Sequence, residues 1–433
     1  MPRPAVRLLP LGAAACVLAA QGVVEIPVLK QGAIHQRLFA AQSSAPDAEL
    51  VPYEIHVDDA VLTDLRDRLS EARLPDEVGQ SWDYGTDLAY LKELVAYWRD
   101  EFDWRAQERR LNQFDQFMTN IDGLDIHFIH QRSPDPDARP LLLLNGWPSS
   151  IDEFSKVIGP LTDPAAHGGS GEDAFHVVVP AMPGYGFSDK PNERGFSPER
   201  MATLWMTLMA RLGYTSYGTH GTDWGISVGT WLALKDPTHM AGLHLTGCIG
   251  ALPRSAAQDQ APRPTSDTTG YSEIQSTKPQ TLGYSLSDSP VGLAAWIVEK
   301  FHGWSDHDGN IEDVYTKDEL LTNITIYWVT NTATSSARLY YESRHPGGRV
   351  LPSFFEGFLP TLPEGRVDVP TGCGSFSARY DRRGRRGGTP RSSAAQRYNV
   401  VHWAEMTRGG HFPAFEQPDV WINDIRSVYR ELR

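Results

Sequence analysis

A doubly wound α/β domain with a mostly parallel sheet is the fold this sequence predicts, and three observations predict it. "PLLLLNGWP", "FHVVVPAMPGYGFSDKP" and "MAGLHLTGCIG" are continuous apolar runs, as expected of strands buried on both faces. Such runs alternate with helix-length stretches. "SYGTHGTDWGISVGTWLALKDP" reads as strand, tight turn and helix in succession.

At 433 residues the chain can hold two or three compact units around a substantial core. Its 40% hydrophobic and 22% charged residues are globular values and exclude a disordered chain. A net charge of −14 argues against a protein that wraps nucleic acid. The cysteines, Cys16, Cys248 and Cys373, are too few and too scattered for a disulfide framework or a zinc site, so no metal is expected.

From the N-terminus, "MPRPAVR" followed by "LLPLGAAACVLAA" has the basic and apolar layout of a secretory leader. It is short for a membrane span. A real leader would make the protein secreted or peripherally membrane-associated; without one it would be cytoplasmic. Residues 1–48 are read as leader and disordered extension.

"VDDAVLTDLRDRLSEARLP" places Val61, Leu62, Leu65 and Leu69 on one helical face, with Asp58 or Asp59 as N-cap. In "DLAYLKELVAYWRDEFDW", Tyr90, Leu91, Leu94, Val95 and Trp98 form a second such face. "QFMTNIDGLDIHFIHQRS" alternates as a hairpin around Asp122-Gly123. Between the strands at Leu243 and Val367 lies a mostly helical insertion that opens with the linker "RSAAQDQAPRPTSDTTG". From about Gly270 to Pro346 it reads as a cap over the sheet. "VDVPTGCGSF" and "YNVVHW" are two further buried strands. Between them Arg379 to Arg397 holds seven arginines.

The sharpest chemical signal is Gly221-Thr222-Asp223-Trp224-Gly225, a nucleophile elbow with Asp at its centre. The bland alternative is an Asp that caps the following helix, but glycines on both sides, a strand before and a helix after favour the elbow. A carboxylate is ionised at neutral pH and attacks saturated carbon without a general base. The resulting alkyl ester must then be cleaved by water, which requires a base and an oxyanion hole. His411, in the Gly-Gly turn of "RGGHFPAFEQP", follows the last core strand in the expected chain order. "NGWP" ends the strand that usually supplies an oxyanion donor, so the backbone N–H groups of Trp147 and Trp224 form the natural pair.

With these residues in place, nearly everything from Val51 to Arg433 resembles the epoxide hydrolases of the microsomal and juvenile-hormone type. The resemblance rests on "YWRDEFDWRAQERRLNQFDQFMTNIDGLDIHFIH", "NGWPSS", "PGYGFSDKP", "GTDWG", "IQSTKPQTLGYSLSDSPVGLAAWIVEKFHGW" and "RGGHFPAFEQP". It implies an α/β-hydrolase core with a helical lid and an N-terminal extension, no cofactor, and a small hydrophobic epoxide as substrate. The implied division is extension 49–135, core 136–254, linker and lid 255–350, and second core segment 351–433. Detoxification or aromatic hydrocarbon catabolism is the implied setting. The resemblance further points to Tyr271 and Tyr340 as donors to the epoxide oxygen, a role phenols suit because ring opening leaves a developing alkoxide.

Two departures stand out. Asn145 occupies the position where relatives usually carry His. Arg379 falls where the family places its charge-relay Glu, and a cation there cannot stabilise an imidazolium. Asp381 is the nearest substitute acid, and a solvated loop Asp paired with Arg382 or Arg383 is the alternative. The insert is also open to a reading as translation in a shifted frame. Three functions therefore compete: an active epoxide hydrolase, a carbon–halogen hydrolase, and an impaired homologue blocked at ester hydrolysis.

Overall fold

The computed structural model describes residues 49–79, 81–248, 269–345, 365–376 and 390–432. The leader, most of the linker after Cys248, Asp381 and most of the basic insert lie outside the described residues.

Among the described residues nine strands form one sheet. They are β1 (Val51–Pro52), β2 (Gln116–Ile121), β3 (Leu124–Gln131), β4 (Arg139–Leu144), β5 (Phe175–Pro180), β6 (Tyr217–Gly221), β7 (Met240–Thr246), β8 (Val367–Ser375) and β9 (Tyr398–Glu405). The order across the sheet is β1-β2-β3-β5-β4-β6-β7-β8-β9. β1 to β3 pair antiparallel, β3 joins β5 antiparallel, and the rest of the sheet is parallel. The hairpin turns at Asp122-Gly123, both with positive φ, where the sequence places it. β4 lies between β5 and β6, so the chain leaves it in opposite directions and opens a crevice at its carboxyl end.

The apolar run Leu141 to Leu144 is buried throughout because both faces of the sheet are covered. On one face Leu141 and Leu143 pack with Phe154, Val157, Ile158, Leu161, Trp421 and Ile425. The helices involved are α4 (Ser155–Thr162) and α14 (Pro418–Glu431). α5 (Pro198–Arg211) packs beside α6 (Trp224–Lys235), which lies against the central strands. β9 departs from expectation: it is an edge strand, partly exposed along most of its length. Its apolar composition reads like a central strand, and only the strand order reveals that among the described residues nothing pairs beyond it.

α1 (Asp59–Ser70) buries Val61, Leu62, Leu65 and Leu69, and the Asp58 carboxylate caps it by accepting from Ala60 N at 2.8 Å. α2 (Leu88–Asp100) buries Leu91, Leu94, Val95 and Trp98, while Tyr90 is partly exposed. α3 (Trp104–Leu111) presents buried Glu108, which accepts from Val57 N and from the Trp104 indole, each at 2.7 Å.

Five helices occupy residues 270–344: α7 (Gly270–Thr277), α8 (Pro279–Asp288), α9 (Pro290–Trp304), α10 (Lys317–Thr330) and α11 (Ala333–Arg344). They touch the N-terminal segment through a Trp82–His302 stack at 3.8 Å and the bond from the Tyr97 hydroxyl to Asp318 at 3.0 Å. After β8 come α12 (Arg391–Arg397) and, before α14, the short α13 (Pro413–Glu416).

One reading is corrected. Cys248 and Cys373 form a disulfide with Cα atoms 5.5 Å apart. The pairing joins positions 125 residues apart and becomes visible only once β7 and β8 are neighbours, with Leu245 opposite Cys373.

Candidate active site

The site begins with the turn from β6 into α6. Asp223 adopts φ 49°, a left-handed conformation uncommon for a non-glycine residue and suited to a sharp elbow. The turn closes through Gly225 N to Thr222 O at 2.7 Å and Ile226 N to Asp223 O at 3.1 Å. Glycine is required on both sides by close approach. A Cβ on Gly221 would overlap the Gly225 carbonyl, and one on Gly225 would overlap the Leu144 carbonyl oxygen.

The two carboxylate oxygens of Asp223 face different partners. Oδ1 accepts from the backbone N–H of Trp147 at 2.9 Å. Oδ2 lies 3.1 Å from Nε2 of His411. Gly146 allows the first contact, since a Cβ there would overlap the Asp223 carboxylate. Trp224 is the first residue of α6, where a backbone N–H has no acceptor within the helix.

Aromatic rings enclose the carboxylate. Tyr271 stacks on Trp147 at 5.2 Å, and Tyr340 stands edge-on to Trp147 at 5.9 Å and to Trp224 at 4.7 Å. The two tyrosine rings are 5.8 Å apart. Both phenols are buried, on α7 and α11 respectively. Burial, with the nearby Tyr271 and the charge of Asp223, holds the Tyr340 hydroxyl well above its ordinary pKa, so it stays protonated. Six of the seven residues expected from sequence thus meet in one place. The seventh, Asp381, lies outside the described residues.

His411 follows β9 in a loop that the sequence did not reveal as so heavily tethered. Its N–H donates to the Trp304 carbonyl at 3.0 Å, and its ring lies 4.7 Å from that indole. Glu416, buried five residues on, accepts from Gly410 N, Phe412 N and Asp306 N, each at 2.8 Å. Burial raises the Glu416 carboxyl pKa, and the three backbone bonds and His411 oppose that shift without cancelling it. For His411 burial alone would lower the pKa; the hydrogen bond and charge of Asp223, then the charges of Glu153 and Glu416, outweigh it and hold the imidazole above its ordinary value.

Glu153 was also missed from sequence. It sits in the turn ahead of α4, fully buried, and burial pushes its carboxyl up to about 8. A Glu nine residues beyond the end of β4 reads as a helix-start acid, and nothing in the pattern marks it as buried. Among the described residues no group of three or more His, Cys, Asp or Glu is placed to hold a metal ion. Nor is any described helix long and apolar enough to cross a membrane.

An elbow carboxylate, an imidazole and a backbone donor under two buried phenols can open a strained ether and hydrolyse the resulting ester. Comparison with known proteins points to the epoxide hydrolases. Residues 50–154 match the family model "Epoxide hydrolase N terminus", and residues 139–286 match "alpha/beta hydrolase fold". The chain is 37% identical over 420 residues to Epoxide hydrolase 1 of Sus scrofa, covering 89% of each. The crystal structure of juvenile hormone epoxide hydrolase from the silkworm Bombyx mori superposes with TM-score 0.75 and 31% identity, over 92% of this chain and 97% of that one. The Aspergillus niger epoxide hydrolase structure gives TM-score 0.73 and 27% identity, over 89% and 97%.

Proposed function

Because this chain belongs to the epoxide hydrolase family, we propose that it hydrolyses epoxides through an ester on Asp223, with His411 as base. The observation that carries this reading is the division of labour at Asp223: Oδ1 is held by the Trp147 N–H and Oδ2 faces His411.

In the first step Oδ2 attacks the less hindered epoxide carbon, and that carbon–oxygen bond breaks. The phenols of Tyr271 and Tyr340 donate to the departing oxygen, which becomes a hydroxyl. Their burial keeps both protons in place until an alkoxide develops, which is a far stronger base than a phenolate. In the second step His411 takes a proton from water, and the water oxygen adds to the Asp223 carbonyl carbon. Charge then builds on Oδ1, where the N–H of Trp147, joined by that of Trp224, stabilises it. Collapse expels the diol's second oxygen, which takes the proton held by His411. The proton left on the Asp223 carboxyl restores the tyrosine that donated in the first step, and one water oxygen stays in Asp223.

The walls support a small hydrophobic epoxide, since Trp147, Trp224, Trp304, Tyr271 and Tyr340 surround the carboxylate with rings. We take helices α7 to α11 as the lid and residues 49–135 as the extension that braces it. Asp381 is our candidate for the acid that orients the far side of the imidazole, and Asp381→Asn should slow ester hydrolysis more than ester formation.

The reading is tested with a styrene-type epoxide. Asp223→Ala should yield no diol above the uncatalysed rate. Turnover at the wild-type rate by that variant would overturn it.

A further inference from the structure

Behind the oxyanion donor runs a buried polar chain that the mechanism above does not use. The peptide whose N–H belongs to Trp147 has its carbonyl on Gly146. That oxygen accepts from the Ser149 hydroxyl at 3.0 Å and, at longer range, from the Asn145 amide at 3.3 Å. The same Asn145 amide reaches the Ser149 oxygen at 3.1 Å. Ser149 is also hydrogen-bonded to Oε2 of Glu153, while Oε1 of Glu153 has no hydrogen-bond partner among the described residues. Asn145, Ser149 and Glu153 are all at least nine-tenths buried.

The Ser149 hydroxyl has a single proton and two acceptors, so it can serve Gly146 or Glu153 but not both. We propose that Glu153 is a positioning residue for the oxyanion donor, acting through Ser149 on the Gly146–Trp147 peptide. As an acid, Glu153 donates to Ser149, which then donates to Gly146. The aligned chain polarises the peptide and strengthens the Trp147 N–H. As a carboxylate, Glu153 draws the Ser149 proton to itself and the donor weakens. This inference rests on the reading that Asp223 carries the ester. Its effect belongs to ester hydrolysis, the step that places charge on Oδ1.

The surroundings of Glu153 put the change within reach of experiment. Burial holds the carboxyl up to about 8, opposed by Ser149 and His411 and helped by Asp223 and Glu416. Tyr327 and Tyr315 also face it and stay neutral, because burial lifts both phenols well above their ordinary values. Asp152, its neighbour in the same turn, is paired with Arg110 at 2.8 Å.

The test follows ester hydrolysis in single turnovers with styrene oxide across the neutral and alkaline range. In the wild type the rate should rise as His411 loses its proton, then fall as Glu153 loses its own. Glu153→Gln places a permanent amide donor on Ser149, so the rising limb should remain and the falling limb disappear. Ser149→Ala should also abolish the falling limb and slow hydrolysis about five- to tenfold, less than the loss of a whole oxyanion donor, with ester formation unchanged. A falling limb retained in Glu153→Gln, or unchanged hydrolysis in Ser149→Ala, would overturn the inference while leaving Asp223 as nucleophile. Failure of the wild type to form any ester would overturn both together.

Discussion

Asp223 combines a left-handed backbone with a carboxylate whose two oxygens are committed separately, one to a backbone donor and one to a base. That commitment has a pH consequence at His411. Its folded-state pKa is raised, so the ion pair with Asp223 contributes stability at acid pH and loses it as pH rises through that pKa. Ester hydrolysis needs the neutral imidazole and runs the other way. In the ester Asp223 has lost the charge that raises the imidazole, so the acid limb of ester hydrolysis should lie below the His411 pKa titrated by NMR in the free enzyme. An acid limb in single-turnover hydrolysis at or above the free-enzyme value would show that Asp223 does not hold the imidazole as described. Residue identities at this centre were legible because a nucleophile, a base and an elbow have fixed chemical types and chain order. Glu153 and Glu416 were not, because burial gives them their properties and single-sequence patterns do not report it.

The elbow is the element on which the site depends. Gly221 and Gly225 let β6, α6 and the end of β4 approach at backbone distance. Gly225→Ala must displace the Leu144 carbonyl or the helix start. It should cost about 1–3 kcal/mol in urea unfolding and reduce activity beyond what the lost stability explains. Unchanged stability and activity would show that the contact is not required. The amphipathic helices α1 and α2 could be read from sequence because 3.6-residue periodicity is local. The edge status of β9 and the Cys248–Cys373 bridge could not, because both follow from strand order, which no local pattern encodes.

Across the molecule, the parallel sheet places the ends of β4, β6 and β9 beneath helices from the insertion, and the site lies where these layers meet. The same burial leaves several histidines neutral inside the fold. Burial pushes His127 down to about 3 and His130 down to about 4, and His220, beside His244, falls well below its ordinary value. The unfolded chain binds these protons first, so their contribution to stability should be lost progressively as pH falls below about 6.5. A urea midpoint that stayed flat or rose over that range would contradict the buried, neutral assignment. The doubly wound class was legible because strands buried on both faces must be apolar throughout. How the insertion folds over them was not, since its helices are patterned by contacts with two different layers.

The central claim is that the substrate's new bond is made to Asp223 and broken by water at its carbonyl carbon. A single turnover in heavy-oxygen water, with the peptide that carries Asp223 weighed afterwards, tests it most directly. The heavy oxygen should appear in Asp223 and be absent from the first diol released. A labelled diol with an unlabelled Asp223 would mean that water attacks the epoxide itself, and the ester mechanism would fall.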